Sequence, residues 1–401
     1  MKIGITTLLC DSDNYGGCLQ AYATEKYLLN NGYEAKHILV EKATLVTKNK
    51  ESLKSKIIKE LKMNGIKGVM IKGVAMIKQR IYLFSNKKIS ELGPIKERIQ
   101  RRKASFDHFR DEVIHHTDRV YSIENIKECV DFDAYITGSD EVWRVYGNVL
   151  HPAYWLTFVH EGIKKISYAA SLSMPAVPDE VKDAVRDALK DYTAISVRQN
   201  SDRDAIQELT DKPVEWVLDP TLLLTADDWL EIAAPNKFAK EKYIFTYILG
   251  DSKEQRECVE KFAKAKSLKI INIPYLLNVY RSCDRRFGDY RVSNVSPERW
   301  ISLIRDAEYI FTDSFHGSVF SILFHKKFYT FLRDSHDGKG SRNSRIYSLF
   351  EMFGLKDRLI SSDMSSKDIM KIDSIDYDRV DKILAHERKH SSDFLLNAIN
   401  S

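Results

Sequence analysis

Two doubly wound α/β domains facing each other across a cleft are the fold class this sequence predicts. The first observation behind it is that short apolar runs alternate with helical stretches, which indicates βαβ units and parallel sheets. The second is that the alternation comes in two series, separated by a stretch at 226–242 that contains Ala233, Ala234, Pro235 and Asn236. The third is size and composition. A chain of 401 residues, 43% hydrophobic and 30% charged, is globular and long enough for two domains. The expected organisation is a first domain over 1–236 with a basic helical insertion at 42–103, a second domain over 237–360, and a helical tail over 361–401 that packs back on the body.

In chain order, the start MKIGITTLLC reads as a first β-strand, because the apolar run is short, meets Asp11 at once and lacks a small-residue cleavage site. Strands are expected at Ile3–Leu8, Ala35–Val40, Ala134–Thr137, Lys165–Ala169, Ala194–Val197 and Val214–Leu218, with helical patterns at Cys18–Asn31 and Val181–Asp191. The second series has strands at Tyr243–Leu249, Lys269–Ile273, Tyr309–Thr312 and Phe328–Thr330. Helices fall around Lys253–Ala265, Pro297–Ala307 and Gly317–Phe324. From Asp363 onward, Ile372, Ile375, Val380, Ile383 and Leu384 recur at helical spacing. No apolar stretch reaches the ~18–20 residues that a membrane span needs.

Charge is unevenly placed. Residues 42–103 carry 18 Lys and Arg against 4 Glu, a local net of +14, in a chain whose total is only +5. The segment also carries apolar residues such as Ile57, Leu61 and Met70, as an interfacial amphipathic helix would. A docking face for anionic membrane or acceptor is one reading, and a solvated helical pair packed on the body is the other. Tyr82 and Phe84 are too few aromatics to support stacking on single-stranded nucleic acid, so no nucleic-acid partner is expected. Five scattered cysteines without C-x-x-C argue against a disulfide framework or structural zinc, and for a reducing, cytoplasmic location. His108, His115 and His116 have no recognised metal-ligand spacing.

Loops after strands are where doubly wound sheets bind ligands. Asn14, Gly16 and Gly17 precede the first helix, where backbone N–H groups can receive an anion; an ordinary turn reads equally well. Gly138-Ser139-Asp140 closes a buried strand. Ser139 and Asp140 could hold sugar hydroxyls and Trp143 could stack on a ring, or the stretch is a capped helix start with a core tryptophan. Asp313-Ser314-Phe315-His316 follows another strand. His316 is either the best general acid/base in the chain or a helix-capping histidine. Arg198 follows the Ala194–Val197 strand, and Arg342 and Arg345 lie in a loop of the second domain; their forks suit carboxylate and phosphate, unless they are solvated surface charges.

Taken together, these stretches resemble the polysaccharide pyruvyl transferase family. The matching pieces include Asn14-Tyr15-Gly16-Gly17, Gly138-Ser139-Asp140-Glu141-Val142-Trp143, Ile195-Ser196-Val197-Arg198, Leu218-Asp219-Pro220-Thr221, Thr312-Asp313-Ser314-Phe315-His316-Gly317-Ser318 and Asn343-Ser344-Arg345, in family order. The resemblance implies two Rossmann-like domains arranged as in type B glycosyltransferases, with no metal and no organic cofactor. It implies transfer of pyruvate from phosphoenolpyruvate to two hydroxyls of a sugar, giving a ketal in an exopolysaccharide, capsule or cell-wall glycan. His316 falls on the family's histidine and would be the acid. Asn14, Gly16, Gly17, Arg198, Asp313, Ser314, Arg342 and Arg345 would bind the donor, and Ser139, Asp140 and Trp143 the acceptor. Such acceptors are often lipid-linked, which gives a peripheral position at the inner face of the membrane a use. Two departures stand out: Ser314 where characterised members carry arginine, and Glu141 and Arg144 where Gln and Asn are usual. Arg342 or Arg345, working with Arg198, is expected to make good the missing guanidinium. The alternative reading is a nucleotide-sugar glycosyltransferase of the same architecture.

Overall fold

The computed structural model describes residues 1–10, 13–41, 93–145, 149–174, 176–277, 281–334, 342–372 and 374–401. Residues 42–92 of the basic insertion lie outside the described residues. Its remainder belongs to a helix at Gly93–His108.

The first domain is built on seven strands: β1 (Lys2–Thr6), β2 (Glu34–Val40), β3 (His116–Tyr121), β4 (Ala134–Thr137), β5 (Lys164–Ala170), β6 (Ala194–Val197) and β7 (Val214–Trp216). They lie in the order β3-β2-β1-β4-β5-β6-β7, and every neighbouring pair is parallel. The second sheet has β8 (Tyr243–Tyr247), β9 (Lys269–Asn272), β10 (Tyr290–Arg291), β11 (Tyr309–Thr312) and β12 (Lys327–Thr330), in the order β10-β9-β8-β11-β12, again all parallel. Each order reverses once, between β1 and β4 and between β8 and β11. A crevice opens beyond the carboxyl ends of the strands at such a reversal. The central strands are apolar along their whole length because a parallel sheet is covered on both faces; β4 and β11 are buried at every residue. β3 and β10 were not foreseen. β3 reads His-Thr-Asp-Arg-Val-Tyr and β10 is two residues long, and both sit at sheet edges where one side needs no apolar cover.

The helices are α1 (Tyr15–Asn30), α2 (Gly93–His108), α3 (Lys182–Lys190), α4 (Asn200–Gln207), α5 (Ala226–Leu230), α6 (Lys253–Lys266), α7 (Pro297–Arg305), α8 (Phe315–Leu323), α9 (Ser344–Phe353), α10 (Ser366–Lys371) and α11 (Tyr377–Asn400). Both helices that start at a reversal begin earlier than their apolar spacing suggests. Asn14 caps α1 by accepting from Gly16 N–H, and Ser314 caps α8 by accepting from Gly317 N–H. His316 therefore sits within the first turn of α8, not in an open loop.

Aromatic packing ties the two domains together beneath the cleft. Tyr15 at the start of α1 stacks on Trp300 of α7, with centroids 5.4 Å apart and planes at 13°, and its hydroxyl donates to the Val295 carbonyl at 2.8 Å. Arg102 of α2 lies over Phe106 and Tyr15, 4.5 and 5.1 Å from their centroids. From the second domain, α11 returns to the first. Leu395, Ala398 and Ile399 pack with Ile3, Ile5 and Leu28, and Lys164 Nζ donates to the Ile399 carbonyl. Among the described residues no helix is long and apolar enough to cross a membrane.

Candidate active site

At the reversal of the first sheet the chain after β4 turns sharply. Gly138 has φ +114°, and a Cβ there would lie 2.2 Å from the Tyr168 carbonyl oxygen, so only glycine fits. Asp140 follows at φ +72°, a costly region for a residue with a side chain. Between them Ser139 is fully buried and tied on every side. Its N–H donates to Gln20 Oε1 at 3.1 Å, its carbonyl accepts from Thr7 Oγ1 at 3.0 Å, and its hydroxyl lies 2.9 Å from the Ala169 carbonyl and 3.2 Å from Asp219 Oδ2. Gln20 and Thr7 are themselves hydrogen-bonded at 2.8 Å.

Arg198 leaves the end of β6 into the same crevice. Its Nη1 donates to Asp219 Oδ2 at 2.8 Å and its Nη2 lies 3.3 Å from Asp140 Oδ1. The guanidinium also rests on Phe315 from the second domain, 4.7 Å from the ring centroid. Asp219 is pinned by neutral donors as well: Thr221 gives its N–H at 3.0 Å and its hydroxyl at 2.6 Å to Oδ1. Burial alone would raise the Asp219 pKa. His316 first, then Arg198 and Thr221, hold it far below the usual carboxylate range.

His316 reaches this group from the other side of the cleft. Its Nε2 faces Asp219 Oδ2 at 3.7 Å and has no hydrogen-bond partner among the described residues. The opposite edge of the ring lies on α1: a Cβ at Gly16 would fall 2.0 Å from His316 Nδ1 and 2.5 Å from Cε1. Gly16 is thus required where one domain's helix start meets the other's imidazole.

A second ionic cluster bridges the cleft beside the first. Glu141 Oε2 accepts from Arg144 Nη1 at 2.9 Å within its own turn, while Oε1 lies 3.3 Å from Arg345 Nη1 and 3.9 Å from Arg342 Nε. Burial favours the neutral carboxyl, but the three arginines, Arg345 foremost, pull the Glu141 pKa down to about 2. Burial pulls Arg345 down to about 10, with Glu141 opposing and the like charges of Arg198 and Arg333 assisting.

The structure brings Arg198, Arg345, His316, Gly16, Ser139 and Asp140 together. Arg342 is the outer member of its cluster, and Gly17 is buried in the first turn of α1, where its carbonyl accepts from Gln20 Nε2 at 3.0 Å. Five expectations need correction. Ser139 does not offer its hydroxyl to a sugar, because it is fully buried against the Ala169 carbonyl and Asp219. Trp143 cannot stack on a sugar. It is fully buried, lies 4.9 Å from Trp155 with planes at 10°, and donates its indole N–H to the Tyr154 carbonyl at 3.1 Å. Asp313 does not face an anionic ligand with its carboxylate. Both oxygens accept backbone N–H groups after β8, from Leu249 at 2.7 Å and Gly250 at 2.5 Å. The side chains of Asn14 and Ser314 are spent on capping.

Several residues at the centre were not singled out from sequence. Asp219 and Gln20 lie in stretches that were noticed, but only the fold aims them at Ser139, Arg198 and His316. Glu141 was noted merely as a departure. Arg333, which follows β12, donates from Nη2 to the Asp313 carbonyl at 3.1 Å, so a guanidinium arrives beside Ser314 from that strand end. Its sequence context, a strand running into Phe-Leu-Arg, was the available signal.

The sequence profile of polysaccharide pyruvyl transferases matches residues 14–335, most of the chain and every residue of this site except Thr7, Arg342 and Arg345. The chain belongs to the polysaccharide pyruvyl transferase family. It is accordingly a transferase, and the family implies a sugar or polysaccharide acceptor. No curated protein matches the sequence. Among solved structures, one from Listeria monocytogenes assigned as a UDP-N-acetylglucosamine 2-epimerase is similar, with a TM-score of 0.52, 11% identity, and coverage of 100% of this chain and 96% of that one. The UDP-GlcNAc 2-epimerase of Neisseria meningitidis has a TM-score of 0.50 at 10% identity, covering 100% and 99%. At such identities the likeness is one of fold: two Rossmann-like domains across a cleft, as expected of a type B arrangement.

Proposed function

We propose that this pyruvyl transferase takes phosphoenolpyruvate as donor and forms a cyclic pyruvate ketal on two hydroxyls of a sugar destined for an exopolysaccharide, capsule or cell-wall glycan. One observation carries the reading: a lone buried imidazole, His316, meets two buried guanidinium groups, Arg198 and Arg345, where the two domains close. The donor carries a carboxylate and a phosphate on three carbons, and two guanidinium forks suit such a pair of anions.

In this reading His316 gives a proton to the donor's methylene carbon, which becomes the methyl group. The adjacent carbon turns oxocarbenium-like and is attacked by the first sugar hydroxyl, whose proton restores the imidazolium. The carbon–phosphate oxygen bond then breaks, phosphate leaves with the bond's electron pair, and the second hydroxyl closes the ring, its proton passing to phosphate. Asp219 holds the imidazole from Nε2 and Arg198 from Nη1, and so fixes acid and anion site relative to each other. Ser139, buried and tied to Asp219, helps to hold that carboxylate in place, and Asp140, whose strained backbone aims it at Arg198, lines the acceptor side.

The test is calorimetric. Losing one partner of a desolvated charge pair costs ~2–5 kcal/mol. Arg198→Ala and Arg345→Ala should each weaken phosphoenolpyruvate binding by about 30-fold or more, and the control Arg203→Ala, half-buried on α4 and paired with Asp204, should not. Unchanged affinity in both cleft variants, or no binding by the parent, contradicts the donor assignment. A cytoplasmic enzyme that docks its basic 42–103 segment on anionic membrane near lipid-linked acceptors completes the proposal. Flotation with anionic liposomes, lost in high salt or with neutral lipid, would support that part; equal recovery on neutral lipid would count against it.

A further inference from the structure

We propose that Glu141 is a built-in competitor for the guanidinium groups that receive the anionic substrate, so that substrate affinity is set by the cost of displacing it. The idea that the substrate is phosphoenolpyruvate rests on the reading above; the competition itself does not.

The two acidic anchors of the cleft differ in how they are held. Asp219 is fixed by neutral donors as well as by charge, through both Thr221 groups and the Ser139 hydroxyl. Glu141 has no neutral donor to its carboxylate among the described residues. Its one hydrogen bond is to Arg144, three residues along the same turn, and its contacts to Arg345 and Arg342 are ion pairs at 3.3 and 3.9 Å. Those two arginines come from the opposite domain.

Arg345 needs an anion there. It is buried and sits in the field of two further guanidinium groups, Arg198 and Arg333. A buried cation without a partner is strongly destabilising. In this structure the partner is the Glu141 carboxylate. A substrate carboxylate or phosphate offers the same fork-matching oxygens, with a charge at least as large. Entry of such a group between Arg345 and Arg342 therefore replaces one ion pair by another, and the net gain is the difference between them.

Inorganic phosphate, the leaving group of the proposed reaction, is a suitable probe. Its affinity and its effect on the melting temperature should be measured for the full chain, Glu141→Gln, Arg345→Ala and the double variant. Glu141→Gln should melt lower than the parent without phosphate, recover more on adding it, and bind it about tenfold or more tightly. The gain should vanish when Arg345→Ala is added. A merely structural Glu141 would lower the melting temperature with no gain in phosphate affinity, and that result overturns the proposal. Should Glu141→Gln not fold, Glu141→Asp keeps the charge but retracts it from Arg345. A smaller tightening is then expected, and none overturns the proposal. Repeating the series with phosphoenolpyruvate separates the two readings. If phosphate tightens and phosphoenolpyruvate binds no variant, the donor assignment fails and the competition stands. If phosphoenolpyruvate binds parent and Glu141→Gln alike, yet needs Arg345, the competition fails and the donor assignment stands.

Discussion

His316 and Gly16 meet where α8 of the second domain packs on α1 of the first, and each supports a prediction. Loss of a positioned general acid typically costs ~10²–10⁴-fold in rate. His316→Gln should lose turnover by that order while calorimetry still finds the donor bound; near-normal turnover would remove His316 from the acid role. Gly16→Ala puts a methyl group where the imidazole now lies, since Cβ would be 2.0 Å from Nδ1. Over-packing of this kind costs ~1–3 kcal/mol. Here the strain falls on the domain contact, so turnover should drop at least tenfold with only a small fall in melting temperature. Equal turnover would mean that the ring does not sit against α1 during the reaction. His316 was legible in the sequence because a strand, a polar turn and an apolar helix bracket it. Asp219 was not: its neighbours in sequence make it an ordinary cap of the turn at Pro220–Leu222. What makes it an imidazole partner is the other domain's position, which no local pattern encodes.

At the scale of elements, the turn after β4 and the helix α4 carry the next two predictions. Trp143 belongs to the core, stacked on Trp155, so Trp143→Ala should cost ~3–5 kcal/mol of stability. The folded fraction should show an unchanged KM for acceptor; a large rise in that KM would restore the sugar-stacking role. On α4, burial raises the Asp202 carboxyl to about 7, against its bond from Leu172 N–H and the charge of Arg198. The folded state then holds a proton that the unfolded chain releases above about pH 4. That contribution to stability is full below this pH and is lost as pH rises through about 7. Burial of His37 and His151, pulled down to about 4, acts in the opposite sense across nearly the same window. The clean observable is a difference: Asp202→Asn, which keeps an acceptor for Leu172, should gain stability relative to the parent as pH rises from 5 to 8. A pH-independent difference in melting temperature would contradict the raised carboxyl. Most strands were readable here because parallel strands need apolar residues on both faces. β3 escaped for the converse reason, as an edge strand whose Asp118, Arg119 and Val120 are exposed.

For the whole molecule, the doubly wound order of both sheets places their two reversals opposite each other; Gly16, Ser139, Asp140 and His316 come from the turns and helix starts there, and Arg198, Asp219 and Arg345 follow the ends of β6, β7 and β12. The sequence order of those loops carried the family resemblance. The pairing of charges across the cleft did not, because it depends on which end of one domain faces which end of the other. Arg345 was expected beside Arg198. That Glu141 would stand between Arg345 and its substrate was not expected. Product analysis tests whether these groups build a sugar ketal from phosphoenolpyruvate. The purified chain should be incubated with phosphoenolpyruvate and a panel of lipid-linked or nitrophenyl sugars, and the sugars examined by mass spectrometry alongside phosphate release. One acceptor should gain a single pyruvate as a ketal, with one phosphate released per transfer and neither product from His316→Gln. Sugar glycosylated only when a nucleotide sugar is supplied, with no pyruvate added from phosphoenolpyruvate, would contradict this reading.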